Sequence, residues 1–312
     1  MRFLLLVSVL FFVKCTFAQN SPTTKITDKK ITLKHKGLTR YYYIHQPSGF
    51  KSNAARPIIF VLHSGGEDAS TMITFSHFNE LADRDTVWVV YPAAYENHWN
   101  DGRFEKGNPN HKGKNINDVS FIDSIIEREI QIHNVDSSRI FVTGIANGAI
   151  MTYKLACRLS HKITAIAPVL GSMAEYTSLT CKPMRSISVL AINGSDDKLI
   201  PINGGEVAYD EKLYGRVNSL KETISFWAHY NDSTKDAGEV TRLPDMHKSD
   251  GTAVFYHKYY NEKYETEIIQ YLIEGGGHAW PGAKQFYPMS VTGNISKEIN
   301  ATELIWNFFL EH

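Results

Sequence analysis

One turn of the chain has the spacing of a catalytic nucleophile position. The turn runs from Gly144 to Gly148, after an apolar run at 140–142 and before a helical pattern that starts at Ala149. A strand, a tight Gly-x-x-x-Gly turn and a helix form the frame of a nucleophile elbow, whose middle residue is normally serine. The middle residue here is Ala146. The turn therefore predicts a catalytic position from which the attacking oxygen is missing.

A carboxylate and an imidazole follow this turn in the order of an α/β-hydrolase triad, which is nucleophile, acid, histidine. Asp197 comes directly after the apolar run that ends at Ile192, and its spacing to the following Ile-Pro pair favours it over Asp196. His278 follows the three glycines 275–277. Taken alone, the segment around Asp197 is better explained by a helix cap or a surface turn. The order and position of both residues favour an acid and a general base of acyl transfer.

Backbone donors for a developing oxyanion are expected from two places. One is the N–H of Asn147, which follows the nucleophile position, and the other is the Ser64–Gly65 loop after an early buried strand. A plain strand-to-helix turn is the alternative interpretation of that loop. His98, His111 and Asp118 are scattered over a polar loop without the spacing of metal ligands. The sequence predicts neither a metal nor a cofactor.

The remaining pattern predicts an α/β protein with a mostly parallel, doubly wound sheet in a single domain. Apolar runs alternate with helical periods, as parallel sheets covered by helices require. The predicted strands are 31–35, 41–45, 57–63, 86–91, 140–142, 163–170, 187–192, 252–259 and 267–273. The predicted helices are 70–82, 119–132 with Asp118 as N-cap, 149–155, 220–230 with a capping box of Ser219 and Glu222, and 301–310. The polar segment 93–117 is predicted to be a long loop over the presumed site, and 235–251 is predicted to be a polar insertion.

The amino-terminal residues have the pattern of an export signal. A positive residue, an apolar stretch of eleven residues and a small-residue cleavage site before Gln19 predict a signal peptide over 1–18 and a mature domain over 19–312. Such a stretch is too short to span a bilayer. Export leaves Cys157 and Cys181 as a pair, which we expect to form a disulfide; two separate buried thiols are the alternative.

The balance of charges argues against two classes of binding partner. Thirty-three basic and thirty-three acidic side chains cancel, and no run of five basic residues occurs. This pattern argues against a nucleic-acid or membrane surface. The oligomeric state is left open.

These motifs together resemble a known family. The chain is similar, over about 35–309, to the polyhydroxybutyrate-depolymerase-like and feruloyl-esterase-like serine esterases of the α/β-hydrolase superfamily. The matching segments are 60–63, 99–103, 117–122, 135–140, 144–148, 155–157, 197–201 and 276–282. The resemblance implies a carboxylic-ester hydrolase site in an exported protein, with Asp197 as acid, His278 as base, and Trp99 and Trp280 near the acyl pocket or packed in the core. Ser64 and Ala149 replace glycines that are usual in the family.

Ala146 conflicts with the activity that the resemblance implies. Loss of the nucleophile costs about 10⁶ in turnover in a serine protease, or on the order of 8 kcal/mol of barrier. Three interpretations follow: a naturally inactive family member that binds an ester, glycan or polymer; a deliberate nucleophile-to-alanine variant of an esterase; or direct attack by a water activated by His278. A secreted binding protein that uses the cleft for recognition alone is the non-enzymatic alternative.

Overall fold

The structure is a computed structural model that describes residues 28–48, 54–104, 116–233, 235–236, 239–284 and 288–312. The predicted signal peptide and His111 lie outside the described residues, as do parts of the two polar segments. In the described part of the chain, no helix combines the length and apolar character needed to cross a membrane.

A twisted sheet of eleven strands runs through the molecule. In chain order the described strands are β1 (Asp28–His35), β2 (Leu38–His45), β3 (Arg56–Leu62), β4 (Trp88–Pro92), β5 (Val135–Ile145), β6 (Ala165–Val169), β7 (Ser188–Gly194), β8 (Gly205–Tyr209), β9 (Lys212–Val217), β10 (Lys235–Asp236), β11 (Thr241–Arg242), β12 (Ala253–Asn261) and β13 (Thr266–Glu274). The sheet order is β1-β2-β4-β3-β5-β6-β7-β13-β12-β10, and β11 also pairs with β12. Strands β8 and β9 form a separate hairpin.

The central strands of the sheet pair in parallel, and the outer strands pair in the antiparallel direction. Strands β4, β3, β5, β6, β7 and β13 pair in parallel, whereas β1, β2 and β12 add antiparallel hairpins. The central strands are apolar on both faces because helices cover both sides. From Pro57 to Leu62, for example, every residue of β3 is buried. The predicted mostly parallel α/β architecture in one domain is confirmed.

Helices pack on both faces and create two cores. In chain order they are α1 (Ala69–Phe75), α2 (Phe78–Asp85), α3 (Asp118–Ile132), α4 (Asn147–Leu159), α5 (Glu175–Thr180), α6 (Leu220–Tyr230), α7 (Met289–Thr292) and α8 (Ala301–Leu310). Helices α3, α4 and α6 bury their apolar side chains in one core, and α1, α2 and α8 bury theirs in the other. The sheet between these layers places the carboxyl ends of β3, β5, β7 and β13 along one edge.

Two local predictions were wrong, each because of a side-chain interaction. The single helix predicted over 70–82 is broken: the Ser76 hydroxyl donates to the Met72 carbonyl at 2.6 Å, and His77 has a left-handed φ of 56°. Asp118 is not the N-cap of α3. The side chain of Asn117 accepts the bond from the Ser120 N–H, while Asp118 forms an ion pair with Arg40.

The predicted disulfide is present. Cys157 and Cys181 are bonded, with their Cα atoms 5.1 Å apart. The bond connects the last turn of α4 to the residue that follows α5. It therefore braces the helix that begins at the nucleophile position.

Candidate active site

The turn between β5 and α4 has the geometry of a nucleophile elbow. Ala146 has φ 54° and ψ −116°, a conformation that residues with a Cβ rarely adopt. Its N–H donates to the Val169 carbonyl at 3.1 Å, which anchors the turn to β6. The two flanking glycines are required by close packing: a Cβ on Gly144 would lie 2.8 Å from Leu62 Cβ, and one on Gly148 would lie 2.5 Å from the Leu62 carbonyl oxygen. The elbow thus retains its form although it carries no nucleophile.

Replacing Ala146 by glycine is expected to stabilise the protein. Such a backbone conformation costs a non-glycine residue on the order of 1–3 kcal/mol, whereas the added freedom of glycine in the unfolded chain costs about 0.5–1 kcal/mol. We expect a net gain of about 1 kcal/mol in the free energy of unfolding, measured by urea denaturation. Ala228→Gly, inside α6, is the matched control and is expected to lose about 1 kcal/mol. A loss of stability in both variants would contradict the strained elbow.

The predicted acid and base form a buried pair. His278 Nδ1 lies 2.6 Å from Asp197 Oδ2, and the two side chains are 8% and 2% exposed. The other carboxylate oxygen of Asp197 accepts bonds from the N–H groups of Leu199 and Ile200, each at 2.8 Å. These bonds hold the carboxylate so that it orients the imidazole through Nδ1, which leaves Nε2 as the nitrogen for proton transfer. The pair lies at the carboxyl ends of β7 and β13, on the same edge of the sheet as the elbow.

The predicted oxyanion loop lies against the start of α4. A Cβ placed on Gly65 would be 3.3 Å from Asn147 Cβ, so the loop packs closely against the Asn147 side chain. As the first residue of α4, Asn147 has an N–H without a partner inside the helix, and the helix dipole favours negative charge there. This arrangement suits an oxyanion hole. The donor roles of Asn147, Ser64 and Gly65 stay a prediction.

The side chain of Asn147 holds the loop that was predicted to lie over the site, and this role of the side chain was not predicted. Its Oδ1 accepts the Trp99 N–H at 2.8 Å, and its Nδ2 donates to the carboxylate of Asp101. Asp101 also accepts a bond from Arg103 Nε at 2.8 Å and is 1% exposed. Because Asn147 is held on two sides, its backbone N–H has little freedom to turn away from the elbow.

A buried ion pair also holds the loop that carries Trp99 and Asp101. Arg40 Nη2 lies 2.7 Å from Asp118 Oδ1, and both side chains are at most 2% exposed. The second oxygen of Asp118 accepts the Asn100 N–H at 2.8 Å. Sequence reasoning missed the roles of Arg40, of Asp101 and of the Asn147 side chain. The available signal was that the segments 99–103 and 117–122 belong to the family pattern, and each carries an aspartate.

His63 is a neutral histidine built into the base of the oxyanion loop. Nδ1 lies 2.7 Å from the Ser64 carbonyl, and Nε2 accepts the Ala94 N–H at 3.0 Å, so the proton is on Nδ1. Complete burial lowers the pKa of His63 from 6.5 to about 4. The ring of His63 is therefore uncharged in the folded protein at neutral pH.

This histidine is expected to make the fold sensitive to acid. Between pH 6.5 and 4 the unfolded chain binds a proton at His63 that the folded chain does not. The contribution of the neutral His63 ring to the free energy of unfolding is therefore complete above pH 6.5 and is lost as the pH falls to 4. The loss is about 3 kcal/mol at most. We expect His63→Asn to flatten the slope of unfolding free energy against pH in this window. His77→Asn, at an exposed histidine, is the control and should keep the parent slope. Equal slopes for all three proteins would contradict the neutral assignment.

Trp99 and Trp280 are both packed in the interior. Trp99 is fully buried, its Nε1 donates to the His63 carbonyl at 2.9 Å, and its ring lies 5.0 Å from that of His63. Trp280 is 1% exposed, and its Nε1 donates to the hydroxyl of Thr302 at 3.2 Å. These contacts explain why both side chains are buried in the core. A role for either in substrate binding stays a prediction.

Comparison with known proteins gives this geometry a family. The model of the phospholipase/carboxylesterase family matches residues 51–229, which contain the Ser64–Gly65 loop and the turn at Ala146. The chain belongs to this family.

Individual members of related esterase groups match most of the chain. It is 24% identical to a putative esterase, NocK, from Nocardia uniformis subsp. tsuyamanensis, over 88% of this chain and 80% of that protein. It is 25% identical to poly(3-hydroxyalkanoate) depolymerase C from Paucimonas lemoignei, over 76% of this chain and 58% of the relative. Feruloyl esterase B from Piromyces equi is 27% identical over 77% of this chain and 44% of the relative. The chain thus spans only about half of the last two relatives.

Two solved structures share the fold. An acetyl xylan esterase from Aspergillus awamori superposes with a TM-score of 0.57, covering 81% of this chain and 94% of that one at 15% identity. A ferulic acid esterase from Anaeromyces mucronatus gives 0.52, covering 82% and 85% at 15% identity. The α/β-hydrolase fold and the resemblance to polyhydroxybutyrate-depolymerase-like and feruloyl-esterase-like esterases are thereby confirmed.

Proposed function

We propose that this protein is an exported ester-binding member of the carboxylesterase family that does not turn its ligand over. The observation that carries the proposal is the elbow at Ala146, which keeps a strained φ of 54° without a nucleophile. It stands on the same sheet edge as an intact His278–Asp197 pair at 2.6 Å. Such a site retains the parts that recognise and polarise an ester carbonyl and lacks the atom that attacks it.

The ligand class follows from the relatives. Their names specify a poly(3-hydroxyalkanoate), acetyl xylan and feruloyl esters, all of them carboxylic esters on polymers or glycans. We assign this protein an ester of the same class. Export is supported by the leader at 1–18 and by the Cys157–Cys181 bond, since disulfides persist in oxidising compartments.

A second candidate function is hydrolysis by water that His278 activates directly. The retained pair favours it, because a pure binding site has no need for an aspartate that orients a histidine. The height of the reaction barrier argues against it. When a triad member is lost, the oxyanion donors and substrate binding leave a residual acceleration of only roughly 10³–10⁴ over water.

Binding without turnover is the expected behaviour of the parent chain. Methyl ferulate, acetylated xylo-oligosaccharide and a 3-hydroxybutyrate dimer would be titrated by calorimetry, and the ester recovered afterwards would be quantified by chromatography. We expect at least one ester to bind and to be recovered intact. Ala146→Trp, which fills the elbow, should abolish the heat of binding. Steady hydrolysis by the parent would favour the water mechanism, and no binding of any ester would contradict the proposal.

A further inference from the structure

A second cleft, of about 300 Å³, lies behind the loop that carries Asn100. Its walls are Asn100, the first turn of α3, and two basic side chains of α4, Lys154 and Arg158. These two residues are one helical turn apart, so they lie on the same face of α4. The cleft does not include the elbow, because neither Ala146 nor Asn147 lines it and Lys154 lies about two helical turns beyond Asn147 along α4.

The positive charge in this cleft is not neutralised within the described part of the chain. The Lys154 ammonium donates to the Asn100 carbonyl oxygen at 2.6 Å, and Arg158 has a long contact of 3.4 Å with the Thr180 hydroxyl. Neither forms an ion pair with a described carboxylate. Lys162, near the end of the same helix, differs from them: its ammonium pairs with both Asp123 and Glu127.

The carboxylates nearest to Lys154 are already committed elsewhere. Asp118 is paired with Arg40 at 2.7 Å, and Asp101 is paired with Arg103 at 2.8 Å. Both pairs are neutral overall, so within the described residues Lys154 and Arg158 leave an excess of two positive charges facing the cleft. Burial lowers the pKa of Lys154, because its charge lies in poorly solvated surroundings. A bound anion would offset this cost.

The start of α3 adds to the attraction for an anion. This helix has fifteen residues, and its N-terminal residues Asp118 and Val119 line the cleft. The partial positive charge of a helix N-terminus favours anions within the first turn. Because Arg40 neutralises the Asp118 carboxylate, that side chain does not cancel the effect.

We propose that this cleft binds a ligand through a carboxylate, phosphate or sulfate group held by Lys154 and Arg158. Lysine and arginine are the side chains that recognise such groups, the first as a compact charge and the second through paired N–H donors. The bound group would also contact Asn100, whose neighbours Trp99 and Asp101 hold the side chain of Asn147. The proposal is independent of ester binding, since neither Ala146, Asp197 nor His278 lines the cleft.

The test uses the whole mature chain and three probes: glucuronate, inorganic phosphate and inorganic sulfate. Binding is followed by calorimetry and by thermal denaturation, with sodium chloride at matched ionic strength as the reference. We expect at least one probe to raise the melting temperature beyond the chloride reference, and the strongest probe identifies the group. Lys154→Met and Arg158→Gln should each weaken its binding at least tenfold, and Lys162→Gln should leave it unchanged.

Any of three results would overturn the proposal. One is that none of the three anions stabilises the protein more than chloride does. A second is that Arg158→Gln, at an exposed position that does not threaten folding, binds the best probe as tightly as the parent. The third is equal weakening by Lys162→Gln, which would show a general charge effect rather than a site. If Lys154→Met does not fold, Arg158→Gln and Lys162→Gln decide the question by themselves.

Discussion

Replacing Ala146 by serine is expected to turn this chain into an active esterase, with turnover up to about 10⁶-fold above the parent. A serine side chain at this φ of 54° would project from the elbow into the site, as it does in working members of the fold. His278 would take its proton and Asp197 would hold the ring at the observed 2.6 Å. The gain corresponds to on the order of 8 kcal/mol of barrier. The assay is hydrolysis of p-nitrophenyl acetate and methyl ferulate beside the parent.

The control for this prediction is the double variant Ala146→Ser with His278→Ala. If the gained activity uses the predicted machinery, removing the base returns the rate to within a small factor of the parent. A folded serine variant no more active than the parent would show that Ser64 or Ala149, which replace family glycines, have spoiled the oxyanion hole. Parent activity that resists serine-directed phosphonates would instead establish attack by water.

Replacing Arg40 by methionine is expected to lower the free energy of unfolding by about 3–5 kcal/mol. The substitution leaves the Asp118 carboxylate buried and charged, and among the described residues the Asn100 N–H is its remaining partner. It also removes the bond to the Ala93 carbonyl and the stacking of the guanidinium over Phe121, 3.9 Å from the ring centre. Urea denaturation measures the loss, and thermal denaturation should show a fall of about 10 °C.

An exposed arginine provides the matched control. Arg84 forms an ion pair with Glu303 at 2.7 Å, but the two side chains are 51% and 44% exposed. Arg84→Met is expected to cost less than about 1 kcal/mol. Adding Asp118→Asn to Arg40→Met should recover part of the loss, since it removes the unpaired charge. Similar costs for the Arg40 and Arg84 variants would contradict the role of the buried pair in holding the loop.

Elements with strong local signals were predictable from the sequence. Helix α6 begins at the predicted capping box, in which Ser219 and Glu222 bond to each other's backbone N–H groups, and α8 has the predicted bounds. The buried central strands were predictable because burial on both faces requires continuous apolar runs. The β8–β9 hairpin was missed, because its residues are mostly polar or exposed and it is held by a bridge between Ala174 and Val217.

Strand β5 shows the same limit at its start. Only 140–142 was predicted, whereas the strand begins at Val135. The intervening Asp136 and Ser138 favour turns, and their side chains bond to each other. Pairing of Val135 with Arg56 of β3 overrides that local preference. A contact between residues so distant in the sequence leaves no local pattern.

The parts of the candidate site that depend on chain order and spacing could be predicted from the sequence. The parts that depend on packing could not. Ala146, Asp197 and His278 were found from chain order, and the structure places them at the carboxyl ends of β5, β7 and β13. The bonds of Asn147 to the 99–103 loop join segments almost fifty residues apart, so no spacing rule could predict them. The full burial of Trp280 likewise depends on its contacts with α1, α2 and the start of α8.

Covalent capture of the serine variant tests the central claim most directly, namely that only the nucleophile is missing from an otherwise assembled site. Parent and Ala146→Ser are incubated with diethyl p-nitrophenyl phosphate, and intact and peptide masses are recorded. We predict a single diethyl phosphoryl adduct on residue 146 of the serine variant and none on the parent. The Ala146→Ser, His278→Ala double variant should react far more slowly. A folded serine variant that stays unlabelled, or a parent chain that is labelled, would contradict the account.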